Sequence, residues 1–509
     1  MKKNFNLLIP GLLALGLLSL NSCKKDDSLM TDGSISEQRN YSTNVTFYAL
    51  AGGVELDKYS TQAPQTLLNS ATITGLQAGE IISAMDFRPA TGQLYGLSSG
   101  SRLYVINPET GSARMIGTGP ITPALTGTLV GFDFNPTVDR IRVVTSNGDN
   151  LRLNPENGTV AATDLAINGQ PGAMLSSVAY ANNFAGSTTT TLYGIDNVSQ
   201  SLYIITPPNN GTLVLAGSLK LNITGEGGFD ISPDGIALGL YEANNQSEIF
   251  QIDLMTGDAT KITKYNKSLM YTAIAIPTRP VAYAVNATNN LLIFRPDAPS
   301  DVISKSIMGL PAGVTLLGVD FRPLNGQLYA LGSNSSIYTL NASSGAATLA
   351  FSLSTPLSGT AFGFDFNPLA DRIRIVSNTG QNLRFNPNDG VLIIDGSLNP
   401  GTPMVTAAAY TNNVAGTLST ELFVIDFSSG KTYKQTPPNN GTLVEVGNVN
   451  VNADEANGFD IGGTSNMGYA LLTNSGATKF YSVNLGTGAA SIIDNFSSGV
   501  NGFTIGLGY

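Results

Sequence analysis

Residues 84–117 read AMDF-RPATG-QLYGL-SSGS-RLYVI-NPETG-SARMIG. Short apolar runs alternate with clusters of Gly, Pro, Asn and Ser. Runs of this length, bounded by such turns, predict antiparallel strands; a helix would repeat its apolar positions every three or four residues. Four strands in roughly 40–47 residues is the unit of a β-propeller blade. Units of this kind open near residues 81, 128, 175 and 225, and again near 313, 359, 404 and 455. Segments near 44–75 and 268–280 are left over in the first half of the chain, and segments near 281–309 and 498–509 in the second. Each couple is expected to pair into a fifth unit, which would join the ends of its half and remove exposed sheet edges.

Most of the chain is written twice. MDFRPATGQLYGL at Met85 returns as VDFRPLNGQLYAL at Val319. GFDFNPTVDRIRVV at Gly131 returns as GFDFNPLADRIRIV at Gly363. NLRLNP at Asn150, AYANNFAG at Ala179 and GFDI at Gly228 have counterparts at Asn382, Ala409 and Gly458, and TPPNNGTLV is identical at Thr206 and Thr436. The offset stays between 230 and 234 residues, so the copies are a tandem duplication. The expected fold is all-β. It comprises two tandem β-propeller-like domains of four-stranded blades, about five each, over residues 44–280 and 281–509. The alternative is one larger pseudo-twofold ring.

The D-F-R-P-x-x-G-Q-L-Y and G-F-D-F-N-P-x-x-D-R-I-R blocks resemble those of the bacterial family called domain of unknown function 4394. The resemblance covers both copies. It implies a repetitive β architecture on secreted or surface proteins, and it implies no catalytic residues.

Composition narrows the chemistry. Only 12% of the 509 residues are charged, about half the usual share. There are 56 glycines, no histidine and no tryptophan. Histidine-based triads, histidine general bases and histidine-ligated metals are therefore excluded. The net charge of −10 does not suit a nucleic-acid partner, which needs clustered Lys and Arg.

The N-terminus gives an address. Lys2 and Lys3 precede an apolar run from Leu7 to Leu20, the length of a signal-peptide core and short for a membrane span. Leu20-Asn21-Ser22-Cys23 resembles a bacterial lipobox. Residues 1–22 are thus expected to be a lipoprotein signal peptide and 23–43 a lipidated flexible tether. Cys23 is the only cysteine, so it forms no internal disulfide; it is the expected acylation site, carrying palmitate or similar chains into the membrane. Lys24, Lys25, Asp26 and Asp27 resemble the export tag of surface-displayed lipoproteins. The expected location is the outer membrane, exposed at the cell surface.

Two repeated sets of charges are candidates for chemistry. Arg140 and Arg142 share one strand face, with Arg152 beyond the next turn; Arg372, Arg374 and Arg384 repeat them. Guanidinium groups in a concave site would bind a carboxylate, sulfate or phosphate through bidentate bonds. The competing reading is an inter-strand ladder with Asp133 and Asp139, or with Asp365 and Asp371. Whether Arg152 joins Arg142 depends on hairpin register. The second set is Asp86, Asp133, Asp230, Asp320, Asp365 and Asp460, recurring at equivalent places. Converging carboxylates could chelate Ca²⁺ or form a glycosidase pair. Recurrence in most units favours a structural anchor, so no metal and no cofactor is expected.

TPPNNG reads as a hairpin turn, with its Asn pair open to sugar hydroxyls only as a secondary option. Tyr95, Tyr104, Tyr193, Tyr203, Tyr329 and Tyr338 read as packing between blades. Glu55, Glu80, Glu226, Glu421 and Glu455 fall at non-equivalent places, and no acidic pair stands apart from the repeat. The favoured function is a surface-anchored, noncatalytic binding or scaffold module with a glycan or protein ligand. The alternative is a histidine-free hydrolase or lyase acting on glycans with Asp and Glu.

Overall fold

The computed structural model describes residues 43–266, 268–455 and 457–509. The expected signal peptide, Cys23 and the Lys24–Asp27 tetrad lie outside the described residues. Residues 84–117 form the expected sheet. Ile82–Phe87, Leu94–Ser98, Leu103–Ile106 and Ala113–Ile116 pair antiparallel in that order. The first turn is closed by the Gly92 N–H on the Arg88 carbonyl at 2.8 Å. The third is opened by Asn107, whose side-chain oxygen accepts the N–H groups of Glu109 and Thr110. It ends on Gly111 at φ +73°, where a Cβ would stand 2.1 Å from the Thr72 carbonyl oxygen, so the position requires glycine. The same turn recurs from Asn154 to Gly158, Asp253 to Gly257, Asn341 to Gly345, Asn386 to Gly390 and Asn484 to Gly488.

Among the described residues there are ten such sheets, five in each copy. The other consecutive ones open with Val130–Asn135, Leu175–Tyr180, Ile223–Ile231, Leu316–Phe321, Phe362–Asn367, Val405–Tyr410 and Asn457–Ile461, close to the expected starts. The remaining two join distant segments, as the leftover stretches predict. Tyr271–Ala275 pairs with Thr46–Ala51, followed by Glu55–Ser60 and Asn69–Thr72. Gly502–Ile505 pairs with Ala282–Val285, followed by Asn290–Arg295 and Ala298–Ser306.

The leading strands lie side by side. In the first copy Ile82–Phe87 touches Val130–Asn135, which touches Leu175–Tyr180, then Ile223–Ile231, then Tyr271–Ala275; that last strand also touches Ile82–Phe87. The second copy has the same succession from Leu316–Phe321 to Gly502–Ile505, with contact between those two. A separate apolar cluster fills each junction between neighbouring sheets. Tyr95 meets Phe134 edge-on at 5.1 Å in one junction, and Tyr329 meets Phe366 at 5.2 Å in its counterpart. Such pairs add roughly 0.5–1.5 kcal/mol beyond area burial. Tyr104, Tyr203 and Tyr338 are likewise buried between sheets, and Tyr193 is half-buried.

The two copies meet through the Arg88–Gln93 turn. The Tyr283 hydroxyl donates to the Ala90 carbonyl at 2.9 Å, the Gly508 N–H to the Thr91 carbonyl at 2.8 Å, and Arg88 to the Gly326 carbonyl at 3.1 Å.

Candidate functional site

The recurring aspartates converge. One oxygen each from Asp86, Asp133 and Asp230 lies within 4.8 Å of the others, and Asp320, Asp365 and Asp460 repeat the arrangement. All six are buried. Each carboxylate reaches from its own leading strand to the backbone of the following sheet. Asp86 accepts the Phe134 N–H (2.8 Å), Asp133 the Tyr180 N–H (2.9 Å) and Asp230 the Ile276 N–H (2.6 Å). Asp320, Asp365 and Asp460 do the same with Phe366, Tyr410 and Ile505. Asp86 and Asp230 also accept the N–H of the next residue in their own strand. These bonds are staples between sheets, the anchoring role that recurrence favours.

Three buried carboxylates so close must share a cation or protons. Calcium takes six to eight oxygens. Here three carboxylates are available, and five N–H groups already point at their oxygens. That donor set fits shared protons better. Burial, with the neighbouring charges added, holds Asp86, Asp133, Asp320 and Asp365 well above the usual carboxylate range. Burial pushes Asp230 up to about 7 and Asp460 to about 6. The second triad has an added donor, the Thr504 hydroxyl, placed 2.8 Å from Asp320 and 2.9 Å from Asp460. Ala275 precedes Ile276 where Thr504 precedes Ile505, so the first triad lacks that hydroxyl.

The register pairs Arg152 directly with Arg142, and Arg384 with Arg374. Their carboxylate is Asp164, beyond the fourth strand, which the sequence reading did not single out. Asp164 binds Arg142 at 2.6 Å and Arg152 through two bonds of 2.8 and 2.9 Å. The buried Arg142 guanidinium also donates to Asn150 and Asn209 at 2.8 Å and to the Tyr180 hydroxyl at 3.3 Å. Arg374 repeats every contact with Asp395, Asn382, Asn439 and Tyr410. Asn209 and Asn439 come from the TPPNNG turns, which do link the last two strands of their sheets. Arg140 and Arg372 point elsewhere, onto the carbonyls of Asp139 and Asp371.

Asp139 and Asp371 have other partners. Arg88 makes a two-pronged pair with Asp139 at 2.8 and 2.5 Å and also holds Glu156. Arg322 pairs likewise with Asp371. Burial opposes the charge of Arg88, but Asp139 and Glu156 outweigh it and push its pKa up. Arg88 and Arg322 stand inside the quoted motif, and their near-invariance between copies was the available signal.

A cavity of about 440 Å³ lies where the copies meet. Its walls include Leu94, Val105 and Arg114 from the first copy and Pro323, Asn413 and Tyr509 from the second. No helix among the described residues is long and apolar enough to cross a membrane.

No curated protein matches the sequence. Among solved structures the chain is similar, at 13% identity and a TM-score of 0.26, to PorZ, an essential bacterial surface component of the type-IX secretion system of Porphyromonas gingivalis. The match covers 89% of this chain and 58% of that one, so it spans less than two thirds of that protein. The family model for the domain of unknown function DUF4394 matches twice, over residues 55–275 and 290–505, one match for each set of five sheets. The chain belongs to the DUF4394 family, as a tandem of two such domains.

Proposed function

We propose that this chain is a surface-anchored lipoprotein whose two domains, residues 44–280 and 281–509, are five-bladed β-propellers acting together as a noncatalytic binding module. Two rings are favoured over one larger ring because the fifth leading strand of each copy lies against the first of the same copy. Lipidation at Cys23 and display on the outer membrane rest on the lipobox and the charged tetrad.

One observation carries the binding reading. The fully buried aspartates of the triads and the two fully buried arginines beside them, each repeated in both copies, are spent on holding sheets together: the aspartates on backbone N–H groups, Arg142 and Arg374 on Asp, Asn and Tyr side chains. We assign these two arginines to the architecture, which leaves Arg140, Arg152, Arg372 and Arg384 as the less buried members of the proposed anion site. A concavity of about 440 Å³ lies between the copies, with walls drawn from both.

A glycan and small-molecule array on the full chain tests the reading. Saturable binding without turnover supports it. Cleavage of a bound glycan replaces it with the hydrolase or lyase alternative.

A further inference from the structure

Each sheet ends in an outer strand with an open edge, and an open edge is a template for another strand. Among the described residues, seven of the ten outer strands are interrupted by a β-bulge, one of the devices that blunt an edge. Three are regular: Asn69–Thr72, Ala113–Ile116 and Leu392–Ile394. The first reads Asn-Ser-Ala-Thr and is polar; the second carries Arg114, and a charge discourages strand addition. Leu392–Ile394 has no such guard. With Val391 before it the run is Val-Leu-Ile-Ile, and Val391, Ile393 and Ile394 are 53%, 44% and 65% exposed.

Half of the run's backbone is uncommitted. The Asn386 N–H donates to the Val391 carbonyl and the Asp395 N–H to the Asn382 carbonyl, both at 2.9 Å, and Ile393 lies opposite Arg384. Residues 391, 393 and 395 thus bond the inner strand, and the N–H and C=O of Leu392 and Ile394 face outward. The first copy differs here in three ways. Its run, Thr159-Val160-Ala161-Ala162-Thr163, is less apolar, one residue longer and bulged. It also has Asn157 where the second copy has Asp389, an exposed carboxylate at the start of the run. Asp389 accepts the Val391 N–H at 3.0 Å and forms no ion pair among the described residues; Arg384 is already held by Asp395.

We propose that Leu392–Ile394 is a docking edge for an extended segment of a protein partner. The segment adds antiparallel as a fifth strand, is apolar at alternate residues, and carries Lys or Arg at its C-terminal end beside Asp389. In such additions backbone bonds give affinity and alternate side chains give specificity. The charge selects the partner. A second copy of this chain would bring a net charge of −10, and residues 386–396 contain no Lys or Arg to meet Asp389. None of these residues lines the cavity between the copies. The proposal rests on the binding-module reading and gives it a protein partner on a surface of its own.

The test is fluorescence anisotropy, with the full chain titrated into the labelled peptide Thr-Val-Thr-Val-Thr-Val-Lys and into the same peptide ending in Glu. The lysine peptide should bind saturably and several-fold tighter, and Asp389→Asn should abolish that preference. Leu392→Pro removes an outward N–H and leaves the inner ladder whole. Ile394→Lys places a guarding charge on the edge. Each should weaken the lysine peptide about ten-fold, the scale of one lost backbone bond, with the melting profile retained. The lysine variant serves if the proline variant does not fold. Absence of saturable binding, or equal binding by both edge variants, overturns the proposal. So does a dimer in sedimentation that Ile394→Lys disperses, which assigns the edge to a second copy. The broader reading fails separately. A chain that binds an array ligand but not the peptide keeps the module and loses this edge. Cleavage of a bound glycan, with the peptide still bound, removes the noncatalytic reading and keeps the edge.

Discussion

Replacing Asp133 by Asn should stabilise the protein above neutral pH. The reasoning starts from the absence of histidine. In most proteins the window from pH 5 to 8 belongs to imidazoles; here it is left to carboxylates displaced upward by burial. Asp230 is raised from an ordinary value of 3.8 to about 7. At about 1.4 kcal/mol per unit, its three-unit displacement corresponds to roughly 4 kcal/mol. The two units of Asp460 give roughly 3 kcal/mol. The sign follows from linkage. Below about pH 4 the carboxyls are protonated in both states, and the contribution is complete. As pH rises, the unfolded chain releases these protons while the folded triads keep them, so stability falls until pH passes the folded-state values. Starting from pH 5, about two units of the Asp230 displacement and one of the Asp460 displacement are still to be lost, roughly 3 and 1.4 kcal/mol. At about 2–4 °C per kcal/mol for domains of this size, the first domain should melt roughly 5–10 °C lower at pH 8 than at pH 5 and the second roughly 3–6 °C lower.

Asp133 is the member to change because it accepts one backbone N–H, from Tyr180, where Asp86 and Asp230 accept two each. The amide oxygen of Asn can keep that bond, and its NH₂ can donate to the neighbouring carboxylates in place of the shared proton. Calorimetric melts in EDTA at pH 5 and pH 8 should show Asp133→Asn near wild type at pH 5 and several degrees above it at pH 8. Asp365→Asn should do the same for the second transition. A melting point that is flat or rises between pH 5 and 8 would refute the argument, as would an equal loss in the variant at both pH values. If millimolar Ca²⁺ raised the wild-type melting point at pH 8 but not that of the variant, the triad would be holding a cation instead.

Arg142→Ala and Arg374→Ala should each lower the melting of their own domain by roughly 10 °C, since stripping one member of a buried charged pair costs about 3–5 kcal/mol; Arg152→Ala, partly exposed beside the same Asp164, should cost under about 1 kcal/mol. A small change at Arg142 would return that residue to the list of ligand contacts. Cys23→Ala should abolish labelling by palmitate and release the chain from the membrane fraction; equal label in the variant would remove the lipid anchor. Replacing Lys24–Asp27 by Ala and Gly should leave the anchor intact and protect the domains from protease added to intact cells, and unchanged shaving would remove the surface tag.

The strands were legible because each is a local event. A run such as RLYVI followed by a turn whose Asn and Gly are chemically required defines its own ends. The remote pairing of Tyr271–Ala275 with Thr46–Ala51 was legible for another reason: a four-stranded unit lacking strands must borrow them. Partner identity was harder to read. Asp133 is the cross-strand neighbour of Arg142, yet its carboxylate turns to the Tyr180 N–H of the next sheet. Asp139 sits at φ +53° on the turn before Arg140 and is taken by Arg88 of the preceding sheet. Both choices are made by the packing of one sheet on another, and no spacing along the chain encodes that distance.

The duplication also separates architecture from site. Whatever holds a domain together must exist in both copies, and the Asp staples, the Arg142 and Arg374 hubs and the Arg88 and Arg322 pairs all do. A cavity formed where two copies meet sees different residues from each, so its walls are freed from that repetition. Arg114 belongs to the second kind. Its counterpart by the 234-residue offset is Thr348, which carries no charge. A position that is a paired or neutral strand residue in one copy and a lone half-buried cation in the other is not required by the fold, because the second domain forms the same sheet without it. The repeat is therefore its own control. Features common to both halves explain why the chain folds, and function should be sought where the halves differ and face each other.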